Sequence, residues 1–198
     1  MHITVIIPYY NESETILSTL ESLYVQTRKP ENIFLVDSGS TDDTSAKIER
    51  WIRDKNAVYF KQLFSGEMSP SSSINMGIKK TNDDIIAYID CGLTIPKDWL
   101  KTSEDIMISS RSDIVSSSIF TKGVSLIDKS FIAQTYGIEN NTICLPGSLI
   151  KKSVFNKIGY LIEAVRSGYD VDFINKVNGD GSISGIIDSF YKPLHYKY

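Results

Sequence analysis

A nearly unbroken apolar run, Ile3 to Pro8 (ITVIIP), is followed by apolar residues at helical spacing, and the same strand-then-helix unit returns at once. A run without polar alternation marks a strand buried on both faces, and Pro8, which has no N–H to donate, predicts the end of its ladder. Asn11, Ser13 and Glu14 offer capping groups for a helix carrying Ile16, Leu17, Leu20, Leu23 and Tyr24. In the second unit, Ile33 to Val36 reads as a buried strand, and Ser40 and Asp43 have capping-box spacing ahead of a helix with Ile48, Trp51 and Ile52. Ala57 to Phe60 predicts a third strand, Ser72 to Lys80 a third helix and Ile85 to Ile89 a fourth strand. Strands that alternate with helices in this way predict an α/β domain with a doubly wound, mostly parallel, Rossmann-like sheet and helices on both faces.

Ligands of such sheets sit beyond the carboxyl ends of the strands, so Tyr9 to Glu12, Asp37 to Ser40 and Asp90 to Thr94 are expected to converge on one crevice. Farther along, Trp99 to Ser109, Ser153 to Ile158 and Asp170 to Val177 read as helices, and Asp113 to Phe120 (DIVSSSIF), Cys144 to Ile150 and Ile183 to Ile187 as strands. Lys122 to Thr142 is polar and weakly patterned, which predicts a mobile insertion. At 198 residues the chain can bury one sizeable core, and one domain over 1–198 is expected.

Composition narrows the partners. The 21 Lys and Arg against 24 Asp and Glu give a net charge of -3, without the basic excess that phosphate-backbone binding needs, so nucleic acid is not expected. The two cysteines, Cys91 and Cys144, are too few for a disulfide framework, lack structural zinc spacing and suit a reducing compartment. No apolar run approaches the roughly 20 residues that span a bilayer, and MHITVIIPYY lacks a basic region and a cleavage site ahead of its strand-like run. A soluble, cytoplasmic protein is expected, with association at the inner face of the membrane left open.

Three clusters carry candidate chemistry. PYYNE, Pro8 to Glu12, has the aromatic surface to stack on a base and the polar groups to bond a ribose, although a turn with an N-cap explains it equally. VDSGSTDDT, Val36 to Thr44, sets a strand-end carboxylate before a glycine turn and a helix N-terminus, which suits a nucleotide and also suits plain turn chemistry. IDCG, Ile89 to Gly92, ends the fourth strand with one acid, Asp90.

Taken in order, VIIPYYNE, VDSGSTDDT, INMGIKKTNDDIIAYIDCG, PGSLIKKSVFNKIGYL and RSGYDVDF resemble the motifs of family 2 glycosyltransferases of the GT-A fold, from Ile3 to about Phe173. The resemblance implies an inverting transfer of sugar from a nucleotide diphosphate donor to an acceptor hydroxyl, in polysaccharide or glycoconjugate synthesis, with a carbohydrate or lipid-linked acceptor. It implies a nucleotide-binding half over about 1–95 and an acceptor-side half over about 96–198. Carried over residue by residue, it assigns donor binding to Pro8, Tyr10, Asn11, Glu12, Asp37, Ser38, Asn75 and Asp90, with Tyr10 stacked on the base. Ser38 stands where the family often has an acid that bonds the base ring, which leaves the base open. Gly77 falls in the helix before the metal motif, where close helix packing accounts for it as well as ligand contact does. Pro146, Gly147 and Ser148 match a small-residue segment of the acceptor side, and Arg166 precedes the catalytic motif. Asp170 stands where the family's ED motif has its general base. Asp172, two residues on, reads as a cap or surface acid.

Two positions depart from the pattern. Asp-x-Asp becomes DCG, with Gly92 in place of the acid that usually ligates the metal, and the Glu before Asp170 becomes Tyr169. One carboxylate and a glycine make a poor site for a hard cation. Asp90 holding Mg2+ or Mn2+ with the donor's phosphates, a metal-free site neutralised by Lys79, Lys122 or Arg166, and a domain that binds without transferring all follow from that reading. His195 is a further metal candidate, against packing in an aromatic tail. Cys91 reads as a strand-end filler, since no base partner can be argued for it. A non-catalytic nucleotide-sugar binding module or partner subunit is the alternative function. A nucleotidyltransferase is disfavoured, because PYYNE is neither glycine-rich nor basic.

Overall fold

The computed structural model describes residues 1–121, 143–163, 165, 167–188 and 194–196. The elements run β1 (Ile3–Tyr9), α1 (Ile16–Tyr24), β2 (Asn32–Asp37), α2 (Thr44–Lys55), β3 (Phe60–Phe64), α3 (Pro70–Lys80) and β4 (Ile85–Tyr88). They continue with β5 (Leu93–Thr94), α4 (Trp99–Ser110), β6 (Ile114–Ser117), β7 (Ile119–Thr121), β8 (Ser148–Lys151), α5 (Lys152–Ile158), α6 (Tyr169–Gly179), β9 (Gly185–Asp188) and β10 (Leu194–Tyr196). The predicted insertion from Lys122 to Thr142 lies outside the described residues.

Among the described residues the strands form a seven-stranded sheet, in the order β3-β2-β1-β4-β8-β6-β9, and a three-stranded one, β5-β10-β7. β1 pairs in parallel with β2 and β4, β2 with β3 and β6 with β9, whereas β8 runs antiparallel between β4 and β6. The sheet is therefore mixed, matching the mostly parallel expectation over β1 to β4 and departing from it at β8. The apolar pair Leu149 and Ile150 is buried on both faces, and a run of that kind encodes burial without direction.

Side chains on β1 alternate between two cores. Ile3, Val5 and Ile7 face Leu20 of α1, Trp51 of α2 and Trp99 of α4, while Ile6 faces Ile74 and Ile78 of α3 in the core that also takes Phe155 of α5 and Phe173 of α6. Both layers close over the same central strand, which fixes where its carboxyl end emerges. Pro8 does not stop this strand; it pairs in register with Val36 and the ladder runs on to Tyr9.

Other boundaries also move. β3 begins at Phe60 rather than ending there, because α2 closes through Asn56 in the left-handed region (φ 51°) and the Ala57 N–H reaches Ile52 O at 3.0 Å, drawing residues 57–59 into the helix exit. DIVSSSIF breaks at Ser118 into β6 and β7, which join different sheets. The Ser40 and Asp43 capping box does not form: Asp43 is the N-cap but its side chain makes no capping bond and pairs with Lys47 at 3.2 Å, and Asp42 takes the Thr44 N–H at 3.0 Å instead. Thr15, not Asn11, Ser13 or Glu14, precedes α1 as its N-cap.

Gly77 shows why α3 lies so close to β1. A Cβ at this position would stand 2.8 Å from Ile6 Cγ2 and 2.9 Å from Cδ1, and Ile6 is fully buried in the central strand. Packing accounts for this glycine. Overpacking costs about 1–3 kcal/mol and the helix gains about 1 kcal/mol when Gly becomes Ala, so Gly77→Ala is expected to lose about 1 kcal/mol net. Gly179→Ala, whose Cβ would meet nothing within 4 Å, is the control. Thermal unfolding should lower Tm for the first by a few degrees and leave the second unchanged or raised; equal stabilisation of both would refute the packing argument.

Candidate active site

The carboxyl ends of β1, β2 and β4 open into a crevice of about 890 Å³. Of the residues proposed from the sequence for donor binding, Pro8, Tyr10, Glu12, Ser38 and Asp90 line it, and Tyr169 joins them from the start of α6. The β3–α3 loop supplies another wall through Glu67, Met68 and Ser69, which the sequence reading missed. Ser69-Pro70 was its signal, since an N-cap serine ahead of a first-turn proline marks where a loop meets a helix; the Ser69 side chain accepts from Ser72 N at 3.3 Å. Tyr10 is 56% exposed on the rim, an aromatic surface available for stacking.

Asn11 and Asp37 shape the crevice without lining it. Asn11 sits at φ 54°, and its Oδ1 accepts the Thr41 N–H at 2.8 Å and the Asp42 N–H at 3.3 Å. Its own N–H donates to Ser40 Oγ at 3.1 Å, so the end of β1 is latched to the loop after β2. The Asp37 carboxylate accepts from Gly39 N at 3.1 Å and Ser40 N at 2.7 Å on Oδ1, and from Ser45 Oγ at 2.6 Å on Oδ2. Burial pushes this carboxyl up, but the bonds from Ser45, Ser40 and Gly39 outweigh it and hold Asp37 below the usual carboxylate range. Gly39 (φ 94°) lets the turn close against Glu67, whose Cγ would lie 3.2 Å from a Cβ there.

Asn75 is buried away from the crevice lining. Its amide donates to Leu161 O and Glu163 Oε1, both at 2.8 Å, and accepts from Leu161 N at 3.1 Å, clamping 161–163 to α3. Lys79 is exposed, 3.7 Å from Glu163, and does not line the crevice either. Gly147 (φ 74°) donates its N–H to Tyr88 O at 2.8 Å, and the Ser148 hydroxyl bonds Cys144 O, so both brace the turn into β8. Asp172 pairs with Lys176 at 2.6 Å, one turn on, as a surface acid does. Arg166 and Lys122 lie outside the described residues, and of His195 only its place in β10 is described, opposite Thr94.

Around Asp90 the chemistry is phenolic. The Tyr88 hydroxyl donates to Asp90 Oδ1 and is in hydrogen-bonding contact with Tyr169, the residue before Asp170. Burial, then the negative charge of Asp90, pushes Tyr169 up to about 12, so both phenols stay protonated at neutral pH. Cys91 is likewise raised to about 12, by burial and then by the charge of Glu12, and is an inert thiol. Asp170 follows Tyr169 at the first turn of α6, with Gly168 (φ 82°) as N-cap, and its Oδ1 accepts the Val171 N–H at 2.9 Å. Its charge is felt by Cys144, whose thiol is raised to about 11 by burial first and by Asp170 second.

The model of glycosyl transferase family 2 matches residues 4–159. The chain belongs to glycosyl transferase family 2. As a member it is similar to an uncharacterized glycosyltransferase of Rickettsia felis, 28% identical over 93% of this chain and 31% of that protein. It is also similar to the poly-beta-1,6-N-acetyl-D-glucosamine synthase of Staphylococcus aureus, 26% identical over 80% of this chain and 41% of the synthase. The chain thus spans less than half the length of these relatives. Its fold is that of S. aureus TarS 1–349, seen in complex with UDP-GlcNAc (TM-score 0.77, 21% identity, 98% of this chain and 58% of that one). It is also that of the mannosyltransferase PcManGT from Pyrobaculum calidifontis in complex with GDP-Man and Mn2+ (TM-score 0.72, 17% identity, 96% and 57%).

The family's divalent metal can be tested against this chain's own donors. Gly92, which the sequence reading sets in the place of the second acid, sits at φ 84°, a conformation that favours glycine, and its N–H is held by Thr19 Oγ1 at 3.0 Å. Asp90 carries the Tyr88 bond, and among the described residues no group of three or more His, Cys, Asp or Glu could hold a metal. These residues do not by themselves make a protein-held divalent site.

The Asp37 clamp is open to a stability measurement. Because Asp37 is depressed in the folded chain, its contribution is complete above the unfolded value of about 4 and is lost as pH falls through the folded value. Asp37→Asn should cost about 1–3 kcal/mol at pH 7, and the gap between variant and parent in urea unfolding should narrow from about pH 5 towards pH 2. A gap independent of pH would contradict the clamp.

Proposed function

We propose that this chain is the catalytic domain of an inverting glycosyltransferase that takes a nucleotide diphosphate sugar in the strand-end crevice and transfers the sugar to a carbohydrate hydroxyl. The observation that carries the reading is the joining of Tyr10, Ser38 and Asp90 in one crevice with Tyr169, the residue before Asp170. Tyr10 stacks on the base, and Asp90, oriented by Tyr88, accepts from a hydroxyl of the donor's sugar or ribose. The acceptor oxygen attacks the anomeric carbon while its proton passes to the Asp170 carboxylate. The bond from the anomeric carbon to the diphosphate oxygen breaks on the opposite face, and the nucleoside diphosphate leaves with that electron pair. Polysaccharide synthesis is supported by the name of the staphylococcal synthase, and a nucleotide-sugar donor by the bound UDP-GlcNAc and GDP-Man of the two structural neighbours.

A binding module without transfer is the second reading. It is favoured by Gly92 and Tyr169, and by the Val171 N–H already held at Asp170 Oδ1, which is a capping use of the proposed base. Asp170→Asn separates the two. The transferase reading predicts a fall of about 10²- to 10⁴-fold in sugar transfer with nucleotide affinity unchanged within about threefold. Transfer unaffected by Asp170→Asn would overturn the base assignment, and tight donor binding without turnover on any acceptor would favour the module.

A further inference from the structure

The first turn of α6 carries Asp170 and has little of its own to hold it in place. Its N-cap is Gly168 at φ 82°, with no side chain to cap the helix and nothing within 4 Å of where a Cβ would stand. The Asp172 N–H closes the turn on Gly168 O at 3.0 Å, and the Val171 N–H goes to Asp170 Oδ1 at 2.9 Å. Phe173 and Val177, which bury α6 in the core, stand farther along the helix. An uncapped helix end frays unless something outside the helix holds it.

Tyr169 is the side chain of this turn that reaches the sheet. One turn before Phe173 and on the same helix face, it packs against the core that holds Tyr88, and its hydroxyl meets the Tyr88 hydroxyl where both line the crevice. Counting protons gives that contact a direction. Tyr88 has a single proton and donates it to Asp90 Oδ1, so the proton between the two phenols is that of Tyr169. A chain of donors thus runs from the start of α6 through Tyr88 to the carboxylate just beyond β4. Burial first, then the charge of Asp90 and less so that of Asp170, push the Tyr169 phenol up to about 12. A phenol that keeps its proton at neutral pH cannot serve as the base, and its use lies in holding the turn.

We propose that Tyr169 is a positioning residue for the base: its hydroxyl, donated to Tyr88, ties the first turn of α6 to the strand end that carries Asp90, and so sets where the Asp170 carboxylate stands relative to the donor. This rests on the transferase reading above. Tyr169 acts through Asp170 and takes no part in the bond changes. The phenol bridge does for this helix end what a capping side chain does elsewhere, and it makes the donor acid and the base move as one unit.

Tyr169→Phe, which keeps the ring and removes the hydroxyl, tests it in the full chain by two readouts. Amide hydrogen exchange followed by NMR needs no substrate: the Asp172 N–H should exchange at least about threefold faster, with the amides of β4 unchanged. Nucleoside diphosphate released from a panel of UDP, GDP and dTDP sugars with monosaccharide acceptors reads the reaction. There kcat should fall at least about tenfold while KM for the donor stays within about threefold, since a displaced base slows the chemistry and leaves donor binding alone. Tyr88→Phe breaks the same bridge at its middle, so adding Tyr169→Phe to it should lower kcat by less than about twofold more. A smaller change in exchange, a smaller fall in kcat, a loss confined to KM or full additivity of the two substitutions would each overturn the proposal and leave the transferase reading standing. A parent chain that releases nucleoside diphosphate from none of the sugars would defeat that reading, and the positioning role with it. Should Tyr88→Phe fail to fold, Tyr169→Phe decides alone.

Discussion

The Asp37 carboxylate, buried where β2 ends, accepts three hydrogen bonds from the turn and helix that follow it, and the crevice depends on that clamp. A carboxylate buried without partners would cost several kcal/mol; with Gly39, Ser40 and Ser45 donating, it fixes the turn in one shape. That shape places Ser40 and Thr41 within reach of Asn11, which ties the end of β1 to it. Two strand ends then form one rigid wall, with Tyr10 on its rim. The motif VDSGSTDDT is thus chiefly a device for building the wall, and Ser38, Gly39 and Thr41 are the residues it turns to the crevice.

The altered metal motif has a local physical account. At φ 84° Gly92 suits a tight bend between β4 and β5, and its N–H on Thr19 anchors that bend to α1. Asp90 is oriented by a phenol, Tyr88, which also meets the Tyr169 phenol. By the sequence reading each motif keeps one acid, Asp90 and Asp170, and the Tyr169 phenol stands close enough to feel the charge of both. Charged lining residues among those described, Glu12, Glu67 and Asp90, are all acidic, so the counter-charge for a diphosphate has to come from elsewhere than this wall.

Much of the first half of the chain was legible because its signals are strong and local. Buried β-branched runs and helix-period residues placed β1, α1, β2, α2, α3 and β4, and the strand-end rule brought Pro8, Tyr10, Glu12, Ser38 and Asp90 to one crevice. What escaped was non-local. The direction of β8 is not encoded in Leu149 and Ile150, and the use of Asn75 as a clamp on Leu161 depends on a contact 86 residues away. Residues with several possible partners, such as Asn11 and Ser40, were read as helix caps and serve instead to join loops. The hydrogen bonds that join Ser38 and Ser65 to Ser73 had no sequence signature at all, since they link the ends of β2 and β3 to α3.

The central claim is that the strand-end crevice is the donor site, with its base pocket between Tyr10 and Ser38. A crystal structure of the chain grown with UDP and Mn2+ tests it most directly. The account predicts the uracil ring stacked on Tyr10 with the diphosphate running toward Asp90. Nucleotide density elsewhere on the molecule would contradict it.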